Sequence, residues 1–358
     1  MWHIIDLFER YKERIFILNV RGRKGKASIK DVAQKSGFST ATVSHVINGT
    51  RYVSEEVTNK VQEAMKELNY TPNPIARSLR NHQSKLIGLI ISVKDSSDMA
   101  NLFFMAIAQG IEATLTKNGY KLLLCNSYED VEIEKERIQM FNEQLVDGII
   151  IAPTHEDYSF SDELTTKKCP IVFIDRKPQV FKGDCVFANN FQGAYDATKH
   201  LIERGHKQIG FIKGCLKIST DNNRLDGYRK ALEENGIAFN QEFVKTDAIT
   251  FDNGYRLAKE LAEQNKVTAI FIANNILTMG AFSYFQENNI KIPEEMALVG
   301  FDDYEWTKIM NPPVTIVKQP AFEIGERAAE VILERIQNPE GAEKEYLLET
   351  KLIVRKSS

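Results

Sequence analysis

Three short amphipathic segments open the readable part of the chain. In SIKDVAQKS, Ile29, Val32 and Ala33 fall on one helical face, Ser28 with Asp31 forms a capping-box start, and Gly37 supplies the stop. In STATVSHVINGT, Ser39 to Thr50, the apolar positions Val43, Val46 and Ile47 recur at i, i+3, i+4, so the rest of that helix is left to polar groups. A third helix is predicted from Ser54 as cap, with Glu55 and Glu56 in its first turn and Val57, Val61, Ala64, Met65 and Leu68 on one face. Pro72 and Pro74 end it. Helix, tight glycine turn, helix, then a helix that closes a small core, is a helix-turn-helix arrangement.

The texture changes at Leu86. LIGLIISV, KLLLCNS, GIIIAP, PIVFID, QIGFIKG, AIFIAN and ALVGFD are short apolar runs of the kind buried on both faces of a parallel sheet. Amphipathic stretches such as FMAIAQGIEATLTKNG and NFQGAYDATKHLIERG separate them. The expectation is α/β: a three-helix head, then a bilobal doubly wound α/β body with a cleft at the carboxyl ends of its strands. The implied boundaries are an N-terminal extension at 1–25, the head at 26–72, a basic connecting segment at 73–84 and the body at 85–358.

Charge adds a partner to this picture. The 358 residues carry a net charge of −3, but the average hides a split. Between Arg21 and Gln83 there are eleven basic and five acidic residues, an excess of six cations, which leaves the body with nine net negative charges. A basic head on an acidic body points to nucleic acid at one end. Short hydroxyl, amide and imidazole groups on a rigid helix are suited to reading base edges in a major groove.

Other classes find little support. The cysteines, Cys125, Cys169, Cys185 and Cys215, show no C-x-x-C spacing, and His200 and His206 stand six apart, so neither metal nor cofactor is expected. The first twenty residues are interrupted by Asp6, Glu9, Arg10, Lys12, Glu13 and Arg14 and do not form a signal peptide, and no apolar run has the length of a membrane span. A cytoplasmic protein is expected, in which residues 1–25 precede the first domain and translation starts near Val20.

The motifs SIKDVAQKSGFSTATVSHVINGTRYVSEEV, ELNYTPNPIARSL, LIERGHKQIGFI, NRLDGYRKAL, FIANN and VGFDD together resemble the LacI/GalR family of transcriptional regulators, from about Ser28 to the C-terminus. The DNA-reading helix is most similar to the purine-repressor branch. The resemblance implies a periplasmic-binding-protein-like body, a homodimer on a pseudo-palindromic double-stranded operator, and an effector-controlled repressor with no enzymatic activity. It places major-groove readers at Thr40, Ala41, Thr42, Ser44, His45 and Asn48, with Ser28, Tyr52 and Ser54 at the backbone or groove wall. His45 stands where one member of the family carries arginine. Asn73, Ala76, Arg77, Leu79 and Arg80 match a hinge helix that enters the minor groove, Leu79 being the apolar wedge.

In the body the resemblance assigns effector contacts to Asn101, Phe103, Phe104, Arg176, Arg224, Asn274, Asn275 and Asp302, with Arg224 and Asp302 as the principal pair. These groups suit a hydroxyl-rich ligand. Three departures bear on its identity: Ile249 where an aromatic ring is common, a longer VKDSSDMANLFF connection, and Asn275 in place of Asp, which removes a negative charge and gives a sugar acid a slight edge over a neutral sugar or a purine. The alternative is a cytoplasmic sugar-binding or sugar-converting protein on the same bilobal fold. A transport protein would need an export signal, and an enzyme a nucleophile with its base, a phosphate loop or paired carboxylates, none of which is evident. Either sign of regulation, release or tightening of DNA, is compatible with the sequence.

Overall fold

The computed structural model describes residues 27–71, 83–94, 100–144, 146–155, 158, 169–178, 183–215, 218–264 and 266–358. The chain divides into two compact units, Met1–Ser84 and Lys85–Ser358. The first contains α1 (Ile29–Ser36), α2 (Thr40–Asn48) and α3 (Glu55–Glu67). Val32, Ala33, Val43, Val61 and Ala64 form its buried centre, ringed by Ile29, Phe38, Val46, Ile47, Val57, Met65 and Leu68.

Local chemistry sets these helix ends. The Ser28 hydroxyl accepts from the Asp31 N–H while the Asp31 carboxylate accepts from the Ser28 N–H at 2.7 Å, the expected capping box. Gly37 closes α1 at φ 77°, ψ 14°, a left-handed conformation that glycine adopts without a Cβ penalty. Ser54 occupies the N-cap of α3 but its side chain makes no capping bond, so there the start rests on Glu55 and Glu56 against the helix dipole.

The second unit holds two six-stranded sheets, in the orders β11-β5-β4-β3-β1-β2 and β12-β10-β9-β8-β6-β7. The first lobe is built from β1 (Leu86–Ile91), α4 (Ala100–Lys117), β2 (Lys121–Asn126), α5 (Val131–Glu143), β3 (Gly148–Ile151), β4 (Ile171–Ile174) and β5 (Asp184–Ala188). The second has α6 (Asn190–Glu203), β6 (Ile209–Gly214), α7 (Ser219–Glu234), β7 (Val244–Asp247), α8 (Phe251–Ala262), β8 (Ala269–Ile272), α9 (Asn275–Glu287), β9 (Ala297–Phe301), the short α10 (Glu305–Ile309) and β10 (Thr315–Lys318). The chain then returns: α11 (Ala321–Gln337) packs with α4 in the first lobe, β11 (Glu345–Leu348) joins β5, and β12 (Lys351–Ile353) pairs antiparallel with β10 in the second.

Every other described strand pair is parallel. Alternation along β8 sends Ile270 and Ile272 to one core and Ala269 and Phe271 to the core on the opposite face, which is why the run is apolar throughout. The seven strands expected from apolar runs are β1, β2, β3, β4, β6, β8 and β9. The five others are not among those expected, although β5 carries the apolar run Cys185–Ala188. Among them β7, β11 and β12 lie at sheet edges with much of their length exposed or half-buried, so their patterns are broken by polar residues.

Candidate functional site

Two sets of side chains stand out, one in each unit. In the head, α2 presents Thr40 and Ala41 exposed and Thr42, His45 and Asn48 half-buried. Local bonds already hold most of them. The Ser39 hydroxyl accepts from the Thr42 N–H at 3.1 Å and lies 2.9 Å from the Thr42 hydroxyl. His45 Nδ1 shares a 2.9 Å hydrogen bond with the Thr50 hydroxyl, which leaves Nε2 as the ring atom available to a base. Asn48 Nδ2 donates to the Ser44 carbonyl at 2.8 Å and to its hydroxyl at 3.2 Å.

Ser44 is only 8% exposed, so the structure turns this expected reader inward, where it orients Asn48 instead of presenting its own hydroxyl. Tyr52 is 91% exposed and Ser54 exposed beyond the end of α2. Ser28 is exposed, but its hydroxyl donates to Asp31 at 2.8 Å. Asn73, Ala76, Arg77, Leu79 and Arg80 lie outside the described residues, as do residues 95–99 of the VKDSSDMANLFF connection.

In the body a cavity of ≈ 510 Å³ opens between the lobes. Ser92 follows β1, Asp175 follows β4, Cys215 follows β6, Asp302 follows β9 and Gln319 follows β10, so the lining comes from the carboxyl ends of both sheets. Phe103, Phe104, Arg176, Arg224, Asn274, Asn275 and Asp302 all line it; the side chain of Asn101 is outside the described residues. Phe103 and Phe104 meet edge to face at 5.4 Å. Phe251, 42% exposed, lines the cavity two residues beyond Ile249, so an aromatic wall is supplied despite the aliphatic residue at 249.

Arg224 and Asp302 both belong to the second lobe and make no ion pair with each other among the described residues. Arg224 Nε donates to Asn190 Oδ1 at 2.8 Å and Nη1 to the Ala273 carbonyl at 2.6 Å, while the guanidinium lies 3.7 Å from the centre of the Phe301 ring. Asp302 accepts from Gln319 Nε2 at 2.7 Å. Arg176 donates to the Pro153 carbonyl and lies 3.5 Å from Asp175 and 3.7 Å from Glu129.

Sequence reading missed Asp175, Asp221 and Gln319. Asp175 and Asp302 share a signature that sequence does not print: each is the residue after a central strand, held at positive φ, 64° and 73° respectively. Strained backbone of this kind clusters at binding sites. Burial raises the carboxyls of Asp175, Asp221 and Asp302 above the usual range; Arg176 and then Arg224 oppose it at Asp175, and Arg224 opposes it at the other two.

Four lining residues keep a buried atom with no hydrogen-bond partner: Arg176 Nε (which lies 3.5 Å from Asp175 Oδ2), Asp221 Oδ2, Asn275 Nδ2 and Gln319 Oε1. Two are donors and two acceptors, on side chains no more than 8% exposed. The lining side chains include both donors and acceptors, so the cavity is complementary to a ligand that both donates and accepts.

No described helix is long and apolar enough to cross a membrane. Residues 28–73 match the model for bacterial regulatory proteins of the lacI family, and residues 198–358 that for a periplasmic binding protein-like domain. The chain is 35% identical over 336 residues to the HTH-type transcriptional repressor PurR of Haemophilus influenzae, covering 92% of this chain and 98% of the relative. It is 34% identical over 332 residues to the ribose operon repressor of the same species, with the same coverage. The crystal structure of the lac repressor dimer bound to operator and the anti-inducer ONPF superposes with a TM-score of 0.81 at 27% identity, covering 92% of this chain and 98% of that one. With its head, its two-sheet body and these relatives in agreement, the chain belongs to the lacI family of bacterial regulatory proteins and is a DNA-binding transcriptional repressor, not an enzyme.

Proposed function

We propose that this repressor acts in the cytoplasm as a homodimer on a pseudo-palindromic operator, and that a neutral monosaccharide in the interlobe cavity sets its operator affinity. The observation that carries the effector reading is the set of polar side chains that line one cavity, Arg176, Asp221, Asn275 and Gln319, each with a buried atom that has no hydrogen-bond partner in the protein. Sugar hydroxyls donate and accept at the same atom and so match such a set, while Phe103, Phe104 and Phe251 cover the apolar ring faces.

The charge balance supports a neutral sugar over the sugar acid favoured by the Asn275 substitution alone. Glu129, Asp175, Asp221 and Asp302 line the cavity against Lys94, Arg176 and Arg224, so an anionic ligand meets one more negative charge than positive. A relative named as the ribose operon repressor is consistent with this class.

In the head, Thr40, Ala41, Thr42, His45 and Asn48 read base edges while Ser28, Tyr52 and Ser54 face the backbone; Asn73, Ala76, Arg77, Leu79 and Arg80 form the minor-groove hinge. The effector works by favouring one arrangement of the lobes, and operator DNA then changes effector affinity by the same factor. Calorimetric titration with D-ribose, D-glucose, D-gluconate and hypoxanthine tests the reading: a neutral sugar is expected to bind alone. Binding of hypoxanthine or gluconate in its place would overturn it.

A further inference from the structure

Asp221 sits in the first turn of α7, one turn before Arg224, and is 3% exposed. An acid there favours the helix dipole, but that does not account for where its carboxylate lies. Oδ2 has no hydrogen-bond partner, and no cation pairs with Asp221 among the described residues. Arg224, the near candidate, directs Nε and Nη1 to Asn190 and Ala273.

The backbone beneath is shaped around the same oxygen. A Cβ at Gly214, the last residue of β6, would stand 2.8 Å from Asp221 Oδ2 and 2.9 Å from Ile249 Cδ1. Any side chain at 214 would therefore press the carboxylate out of place. A buried carboxylate held at a cavity wall with one oxygen unbonded is costly unless something completes it.

We propose that Asp221, which lines the cavity, is a specificity-determining residue, its carboxylate accepting a hydrogen bond from one particular hydroxyl of the effector. This rests on the reading of the cavity as a carbohydrate site. A site built around a hydroxyl rejects the analogue that lacks it far more strongly than a site that merely tolerates it. Asp221 thus distinguishes sugars by the presence of that group, while Arg224 and Asp302 act on others.

The test takes the neutral sugar that binds most tightly among D-ribose, D-xylose, D-glucose and D-galactose, together with its monodeoxy derivatives. Each is titrated against the full-length protein, Asp221→Asn and Gly214→Ala by calorimetry, with circular dichroism melts to verify folding. One deoxy sugar is expected to bind the wild type at least about tenfold more weakly than the parent, and to lose nothing more on Asp221→Asn. The parent sugar is expected to lose the same factor on Asp221→Asn, and Gly214→Ala to reproduce the pattern sterically. Equal losses on either variant for the parent and every deoxy sugar, or no loss on Asp221→Asn, overturn the role of Asp221 while leaving the carbohydrate reading intact. If no sugar in the panel binds the wild type, the carbohydrate reading itself fails, and the role of Asp221 with it.

Discussion

The head and the body treat polar side chains in opposite ways. On α1, α2 and their flanks they are tied to one another: Ser28 to Asp31, Ser39 to Thr42, His45 to Thr50 and Asn48 to Ser44. Around the body's cavity, Arg176, Asp221, Asn275 and Gln319 each keep a buried atom without a hydrogen-bond partner. Exposed groups can exchange local bonds for base edges at small net cost, because water competes in either case. Buried groups have no such substitute. The head is thus preorganised for a large charged partner that arrives from solvent, whereas the cavity is left incomplete until a small ligand enters.

Arg224→Ala tests the body's half of this contrast with the largest effect. It removes a buried guanidinium that bridges Asn190, Ala273 and the Phe301 ring, and leaves Asn190 Oδ1 buried without its donor. Sugar affinity is expected to fall by about 100-fold or more, in line with the cost of truncating a buried charged group. Calorimetry reads the loss, and the melting temperature of the ligand-free variant is expected to drop as well. Unchanged binding would mean that Arg224 only supports the lobe.

His45→Ala probes the head. A base-reading side chain is worth about 1–3 kcal/mol of discrimination, so the variant should bind a singly substituted operator almost as well as the intact one while retaining its affinity for random DNA. Fluorescence anisotropy on the three duplexes measures this. Thr50→Val, which removes the hydroxyl bonded to Nδ1, should weaken the same discrimination less. Equal loss on all three duplexes would place His45 at the phosphates.

The bonded surface carboxylates of the head and the buried ones of the body titrate with opposite sign. In the head, bonds from Ser28 hold the Asp31 carboxyl below its usual range, and Lys60 does the same for Glu56. Those contributions are present above the ordinary carboxylate range and are lost as pH falls through the lowered values. In the body, burial raises Asp175, Asp221, Asp302 and Glu134. Folding there favours the protonated acids, so their contribution is present at low pH and is lost as pH rises through the raised values. Hydroxyls that donate to the charged carboxylates reverse that preference on binding. Sugar affinity is therefore expected to rise several-fold as pH rises through the raised range, with proton release visible as a dependence of the calorimetric heat on the buffer's ionisation enthalpy. Affinity that fell with rising pH would mean that the acids bind ligand in their protonated form.

How much of this was legible beforehand follows from how each signal is encoded. The capping box at Ser28, the stop at Gly37 and the stripe of Val43, Val46 and Ile47 are local, and the structure has them. So are the seven apolar strands. The burial of Ser44 is a tertiary fact, because the residue stands at the edge of the apolar stripe of α2 and only the packing of its neighbours decides whether it is covered. Asp175 and Gln319 follow β4 and β10 and are brought to one cavity only by sheet order, which no short window contains. Asp302 was readable through VGFDD, but its partner Gln319, seventeen residues on, was not. Asp221 looked like an ordinary first-turn acid.

The smallest effect isolates what the head owes to backbone conformation alone. Gly37 sits at φ 77°, and a Cβ added there meets nothing within 4 Å, so Gly37→Ala changes no packing. Its cost is the left-handed conformation itself, about 1 kcal/mol. That corresponds to roughly a fivefold rise in local opening. Hydrogen exchange of the full chain, read by mass spectrometry on peptides spanning α1 and α2, should show this loss of protection, while peptides from β1, β3 and β8 stay unchanged. Asn tolerates the left-handed region better, so Gly37→Asn should lose less. Equal loss from Ala and Asn would mean that the turn between α1 and α2 is held by something other than the φ of residue 37, for example by the bond from Phe38 N to the Ala33 carbonyl.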